Sequence, residues 1–423
     1  MFFHYTDRYS SIMENRLLCL CFPAGNRNEM NDQIKKTAPP GIDDAEVVKL
    51  LSLLVSVPSV NSAFRQPGDP DHWFDEAKLA AVVADWLRSI GIEVEVDFVA
   101  AQRPNVIARI KGTLGAPSMI WEGHLDTVQV TGMKAPFTPR IADGRLYGRG
   151  AVDDKACLVA FMLAMSDLAR DPPPGNVTFV AASDEEFSFT GITHHMKRAE
   201  RYEMGIAGEP TELRVVRACK GCVRWHVEVL GRAAHTAKPH EGIDAVKAAR
   251  RLLDIYEEEM RRRTQTHPLL GPATLTCTAF EAGEGPNTVP ARARLRFDYR
   301  YLPCEEGDAV WRSFAKLASD LAAIAPGIRI ISEPPFTDSA AMDISEDASI
   351  VKLLSAVCAN HGIDPASEGV PYGSDSTKMV TSGIETVIFG PGNIVQAHSL
   401  NEYVEIAQVT KAARMLVDVA RRA

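Results

Sequence analysis

Histidines and carboxylates recur along this chain in a pattern that could hold a metal. Four segments run from apolar residues into acids or a histidine: Ile120-Trp-Glu-Gly-His124-Leu-Asp126, Gly148-Arg-Gly-Ala-Val-Asp153-Asp154-Lys155, Val180-Ala-Ala-Ser-Asp184-Glu185-Glu186 and Gly205-Ile-Ala-Gly-Glu209-Pro210. A fifth, from Phe389 to Glu402, carries His398. Carboxylates gathered at one place repel one another and resist ionisation unless a cation compensates them, so the economical chemistry is a divalent metal site. Imidazole mixed with carboxylate suits Zn²⁺ or Mn²⁺, with Co²⁺ a further candidate. Ca²⁺ and Mg²⁺ prefer all-oxygen shells, and copper favours more imidazole or thiolate. A single His-x-Asp or Glu-Glu pair is an ordinary solvated feature; the weight rests on five such segments in phase.

Something must bring these segments to one edge. From Asp43 an apolar stripe (Val47, Val48, Leu50, Leu51, Leu53, Leu54) predicts a helix stopped by Val57-Pro58, and a second helix is expected over Ala77–Ile90. Strands and helices then alternate: Ile92–Phe98, Asn105–Ile110, Met119–Glu122, a helix from Lys155, Val177–Ala182, a helix near His194, and Gly205–Gly208. That alternation predicts an α/β fold with a mainly parallel sheet, whose ligand sites lie beyond the carboxyl ends of the strands. Past Leu213 the texture changes to alternating Val223, Trp225, Val227 and Val229, a helix over about 244–263, strands near Leu275 and Leu295, and a helix over about 309–322. This reads as a smaller α+β domain inserted into the larger one. The α/β texture resumes with a helix near 350–361, a strand at Thr386–Phe389 and a last helix over 407–422. The expected division is an extension over 1–40, a catalytic domain over 41–213 and 336–423, and an inserted domain over 214–335.

The composition fits a folded, soluble chain. With 423 residues, 46% hydrophobic and 24% charged, disordered, fibrous and membrane-spanning classes are excluded, and two or three domains are expected. A formal charge of −9, from 46 Lys and Arg against 55 Asp and Glu, gives no footprint for nucleic acid or an anionic membrane. Eight cysteines are too dilute for a disulfide scaffold, which points to a reducing cytoplasm. Cys19/Cys21 and Cys219/Cys222 are closely spaced, but no second Cys-x-x-Cys follows, and the structural reading of Cys219 and Cys222 is preferred over a redox or zinc half-site. The apolar run Leu17–Phe22 is too short for a signal segment or a membrane span.

The five segments resemble, in order, the motifs of the M20 family of metallopeptidases and deacylases, which includes acetylornithine deacetylase, succinyl-diaminopimelate desuccinylase and the glutamate carboxypeptidases. The likeness covers about residues 43–420. It implies that His124, Asp153 and Glu209 hold one metal and that Glu186, His398 and the same Asp153 hold the other, with Asp153 bridging. It further implies that Glu185 is the general base, and that Asp126 accepts the other imidazole N–H of His124 and fixes its tautomer. Glu209, rather than Asp, resembles the deacylase and carboxypeptidase branch. Ala156 departs from the family's usual glycine. Asp154 and Asp184 match no family role and read as solvated acids or as supports behind the ligands.

In the inserted domain, Gly231-Arg-Ala-Ala-His235-Thr-Ala-Lys-Pro239 resembles the motif that opens the family's dimerisation domain, which implies a homodimer in which His235 completes the partner's site. Asn287, within Pro286–Pro290, and Arg300, within Phe297-Asp-Tyr-Arg, resemble positions that approach substrate; a strand arginine paired with a nearby acid is the alternative for Arg300. Gly373 and Ser374 stand in the family's Gly-Ser/Thr-Asp turn, suited to a carboxylate or oxyanion, with Tyr372 and Lys378 beside them. His226 shares a strand face with Arg224 and Glu228, opposite the apolar set, and reads as solvent-facing, at the dimer surface, or touching substrate. The activity implied is hydrolysis of a C–N bond in a small carboxylate-bearing molecule, as in N-acyl amino acid deacylation, by metal-activated water. Hydrolytic deamination of an electron-poor aromatic amine, of aminobenzoate type, with release of ammonia is the alternative. A non-catalytic binding relative would lack a ligand or the base, and none is missing.

Overall fold

The computed structural model describes residues 41–423, so the extension over 1–40 and the pair Cys19/Cys21 lie outside the described residues. The first apolar stripe forms α1 (Asp44–Ser56), opened by the Asp43 carboxylate, which accepts the Glu46 amide; α2 (Glu76–Ser89) follows. The large sheet contains β1 (Glu93–Ala100), β2 (Arg103–Ile110), β3 (Ser118–His124), β4 (Asn176–Ala182), β5 (Met204–Ala207), β6 (Val215–Cys219) and β10 (Glu385–Ile388). They lie in the order β1-β2-β4-β3-β5-β10-β6. The centre, β4-β3-β5-β10, is parallel throughout, and antiparallel pairings occur toward both sides.

Alternate residues of this sheet serve two cores. Trp121, Phe179 and Ile206 face α3 (Lys155–Arg170), where Trp121 stacks on Phe161 at 5.8 Å; Ile120, Val180 and Ala207 face the opposite layer with α4 (Thr190–His195) and α8 (Ser376–Thr381). α3 is buried on nearly every side because α1 and α9 (Ile406–Arg422) cover it, which accounts for a helix apolar all round.

A second sheet is built from β7 (Gly221–Leu230), β8 (Thr274–Ala282) and β9 (Arg292–Tyr301), in the order β8-β9-β7 and extended by Arg329–Ser332 and Thr337–Ser339. Its apolar face, with Trp225, Phe297 and Tyr299, packs on α5 (Ala245–Arg262) and α6 (Gly307–Ile324). Because β6 pairs in the large sheet and Thr337–Ser339 pairs with β7, the chain enters the small sheet at Gly221 and leaves it at Ser339, a few residues beyond each change of texture. The helix α7 (Ser349–Asn360) returns the chain to the large core. Cys219 and Cys222, at the crossing, are buried free thiols.

Candidate metal centre and active site

The parallel register puts four strand ends at one edge. His124 pairs with Ala182, Glu122 with Ala207, and Ala207 with Ile388. His124 therefore stands beside the turn Ser183–Glu186 and the segment Gly208–Glu209, and the loop after β10 brings His398 to the same place. Asp153 arrives from the turn that opens α3. Gly123 and Gly208 permit that approach: a Cβ at Gly123 would lie 2.7 Å from Asp154 Oδ2, and one at Gly208 would lie 2.8 Å from Cys157 Cβ.

Asp153 divides its two oxygens between the two histidines. Its Oδ1 is 2.9 Å from His124 Nε2, and its Oδ2 is 3.1 Å from His398 Nε2, which also lies 3.2 Å from Glu186 Oε1. One ligand atom each from His124, Asp153 and Glu186 lies within 4.8 Å of the others, and the same holds for His124, Glu185 and Glu209. The expected residues thus converge, but Glu209 closes on His124 together with Glu185. Among the described residues no lysine or arginine pairs with Asp153, Glu185, Glu186 or Glu209, and all four are buried or nearly so. Burial, then neighbouring Asp153 and Glu185, push the Glu209 carboxyl well above its ordinary range; burial likewise pushes up Glu185. A donor set of imidazoles and largely buried carboxylates, without a lysine or arginine partner among the described residues and open to a cavity only at His398 and Glu186, fits divalent transition metal ions.

Behind the ligands lies a layer of fixed supports. The Asp126 carboxylate accepts the amides of Glu185 (3.0 Å) and Glu186 (3.1 Å) and the Asn61 side-chain amide (2.7 Å). His124 Nδ1 is 3.0 Å from the Asp126 carbonyl and 3.5 Å from its carboxylate, so the carbonyl, rather than the expected carboxylate, is the nearer tautomer-fixing acceptor. Glu402 accepts the Val152 and Asp153 amides and forms an ion pair with Arg149. Asp154 and Asp184 are fully buried, which removes the solvated reading. Asp154 accepts the His124 amide at 3.1 Å, and Asp184 takes Arg103 and Asn61.

The substrate candidates divide by location. Tyr372 is held by the site, its hydroxyl 3.4 Å from the Pro210 carbonyl and its pKa raised by burial and then by Glu209. Ser374 is buried and bonded to Ser376 (2.8 Å); Gly373 faces Lys220 and Ser339 at the junction of the sheets. His235 and Asn287 lie side by side on two exposed loops of the small domain. His235 bridges to Thr288, and Asn287 accepts the Thr236 amide, with no bond to a ligand residue. Arg300 pairs with Asp298 at 2.8 Å, which also holds Arg224 at 2.6 Å. Of these two arginines only Arg224 lines the cavity of about 350 Å³ beside Glu186 and His398, where it meets Phe64, Phe187 and Phe336. His226 stacks half-buried on Phe336, with ring centroids 4.8 Å apart.

A parallel sheet that delivers imidazoles and carboxylates to one edge, beside a cavity shared with an inserted domain, is the arrangement of a metallohydrolase. Residues 120–422 match the model for peptidase family M20/M25/M40, and the chain belongs to this family. It is 28% identical to an acetylornithine deacetylase from Myxococcus xanthus over 332 residues, covering 76% of this chain and 84% of that protein. Its fold is similar to a tripeptidase from Staphylococcus aureus (TM-score 0.74, 19% identity, 90% of this chain and 99% of that one). It is also similar to a dinuclear metal-binding M20 peptidase from Bacillus subtilis (TM-score 0.65, 16% identity, 90% and 98%). Among the described residues no helix is long and apolar enough to cross a membrane.

Proposed function

We propose that the protein hydrolyses the amide of a small carboxylate-bearing substrate, as in N-acyl amino acid deacylation, with Zn²⁺ or Mn²⁺ held by His124, Asp153, Glu186, Glu209 and His398. The observation that carries the reading is Asp153, which turns one carboxylate oxygen to each histidine. Ions bound there would supply Lewis acidity toward the carbonyl and lower the pKa of water. Glu185 accepts the proton of the attacking water on its carboxylate and delivers it to the departing nitrogen. Its place is set by its own amide, fixed on Asp126, and its burial excludes bulk water from the transfer. Arg224, sharing Asp298 with Arg300, offers the substrate carboxylate a cation across the cavity.

The phenylalanines Phe64, Phe187 and Phe336 in that cavity favour a second reading, hydrolytic deamination of an aromatic amine. The deciding experiment is a screen of N-acyl amino acids, dipeptides and aminobenzoates after Mn²⁺ or Zn²⁺ loading, with free amine and ammonia both measured. Amine with acid is the expected product; ammonia alone replaces the first reading by the second. No turnover on any of them, or no bound metal, overturns both.

The working unit is a homodimer through the small domain. Support comes from β8, which has no partner on its outer side among the described residues, and from an apolar groove beside it that holds Leu253, Met260, Leu275 and Phe297. A second copy would cover both and bring His235 to the partner's site. A cytoplasmic location is supported by the free thiols of the described residues.

A further inference from the structure

We propose that Arg103 is a positioning residue for the turn Asp184-Glu185-Glu186, setting the geometry of the metal centre from behind; this rests on the reading of Glu186 as ligand and Glu185 as base. Arg103 begins β2 and touches neither residue. Its guanidinium uses every nitrogen. Nε lies 3.1 Å from Glu76 Oε1 and Nη1 2.7 Å from Asp184 Oδ1, while Nη2 donates to Asn61 Oδ1 (2.8 Å) and Ser62 Oγ (2.9 Å).

Together with local hydroxyls and amides, these partners hold Asp184 at each of its polar atoms. Asp184 sits in the left-handed region, with φ of 66°, a conformation a non-glycine residue holds only when its surroundings fix it. Its amide donates to Glu76 Oε2 (2.9 Å), its carbonyl accepts the Phe189 amide (2.7 Å), and its second carboxylate oxygen accepts the Ser188 and Thr190 hydroxyls. Asn61, oriented by Arg103 through its oxygen, gives its NH₂ to both Asp184 (2.8 Å) and Asp126 (2.7 Å), and Asp126 holds the Glu185 and Glu186 amides. The guanidinium therefore controls the turn by two routes, through Asp184 itself and through Asn61 and Asp126.

Charge makes the residue hard to replace. Asp126, Asp184 and Glu76 are buried together, and among the described residues Arg103 is the one lysine or arginine that pairs with Glu76 or Asp184. Lysine would keep the charge and lose the planar fork that reaches three partners at once.

The test compares the parent with Arg103→Lys, titrating Mn²⁺ into metal-stripped protein and recording the visible spectrum of the Co²⁺-loaded form. With the fold retained by circular dichroism, Mn²⁺ affinity is expected to fall by about 10–100-fold, the range for groups that orient ligands, and the Co²⁺ bands to shift. On an N-acetyl amino acid that the parent hydrolyses, kcat should fall with KM unchanged. Added guanidinium should restore part of the Mn²⁺ affinity of Arg103→Ala. An Arg103→Lys protein with parental Mn²⁺ affinity and Co²⁺ spectrum, altered only in thermal midpoint, overturns the proposal. A parent that binds no Mn²⁺ overturns the metal-centre reading and this inference with it. Should neither Arg103 variant fold, Ser62→Ala releases the fork from a partner that makes no bond to the turn itself; a loss of Mn²⁺ affinity is expected, and parental affinity is the contrary result.

Discussion

The two acids of the Glu185-Glu186 pair share a backbone anchor and differ in what their side chains face. Glu186 meets His398, whereas Glu185 closes on His124 beside Glu209; neither acid has a lysine or arginine partner among the described residues. Glu185→Gln preserves shape and removes the basic oxygen. We expect it to bind metal as the parent does while turnover falls roughly a hundred- to ten-thousand-fold, read by metal analysis and steady-state kinetics on the same sample. The convergence of the candidate ligands was partly legible from the sequence: His124, Glu186, Glu209 and His398 follow strands of the parallel sheet, whose register carries that spacing into space, whereas Asp153 arrives from the turn that opens α3. Their supports were not. Asn61, Arg103, Arg149 and Glu402 come from distant parts of the chain and share no local pattern with the acids they hold, and the burial of Asp154 and Asp184 depends on helices packed over them. Arg300 and Arg224 show the same limit: both lie on strands, and only packing decides which one faces the cavity.

Elements set how closely the residues of the candidate site approach. The start of α3 lies against β3 only because residue 123 lacks a side chain. Gly123→Ala would put a methyl 2.7 Å from Asp154 Oδ2 and 3.3 Å from Leu158 and Phe161. A destabilisation of about 1–3 kcal/mol is expected from such overpacking, measured by urea unfolding. At the β1–β2 side, Arg109 and Arg198 bind Glu95, Asp97 and Glu200 and tie the hairpin to the segment before β5. Burial opposes ionisation of Glu200, but the Arg109 and Tyr202 hydrogen bonds outweigh it and lower its pKa to about 2. A carboxyl depressed on folding stabilises above its unfolded pKa and loses that stabilisation as pH falls through the folded value. Glu200→Gln should therefore be less stable than the parent at pH 7, with the gap closing as pH falls from about 4.5 toward 2, followed by thermal unfolding across that window. The elements themselves were largely legible, since period-two and helical stripes report burial. The crossing at Gly221 and Ser339 was less so, because strand pairing, which assigns β6 to the large sheet, leaves no mark in composition.

At the scale of the whole molecule, the net charge of −9 includes the buried acids of the site. Ions that bind only the folded chain stabilise it, by about 2.7 kcal/mol at a hundredfold excess over Kd. Chelation should therefore lower the thermal midpoint, and Mn²⁺ should restore it. The dimer reading has its own test. Neither His235→Ala nor Glu185→Gln should be active alone, but mixed dimers of the two should regain activity, because one of their two sites then takes an intact Glu185 from one chain and an intact His235 from the other. Activity that stays at the level of the single variants after subunit exchange rejects sharing between subunits. The cavity beside Glu186 has a further consequence. Phe187 and His398 on one side belong to the large sheet's loops, whereas Arg224, Phe336 and Thr337 on the other are carried by the small sheet, and the chain crosses between the sheets only near Gly221 and Ser339. The width of a space walled in this way depends on how the two sheets are set against each other as well as on the residues that line it.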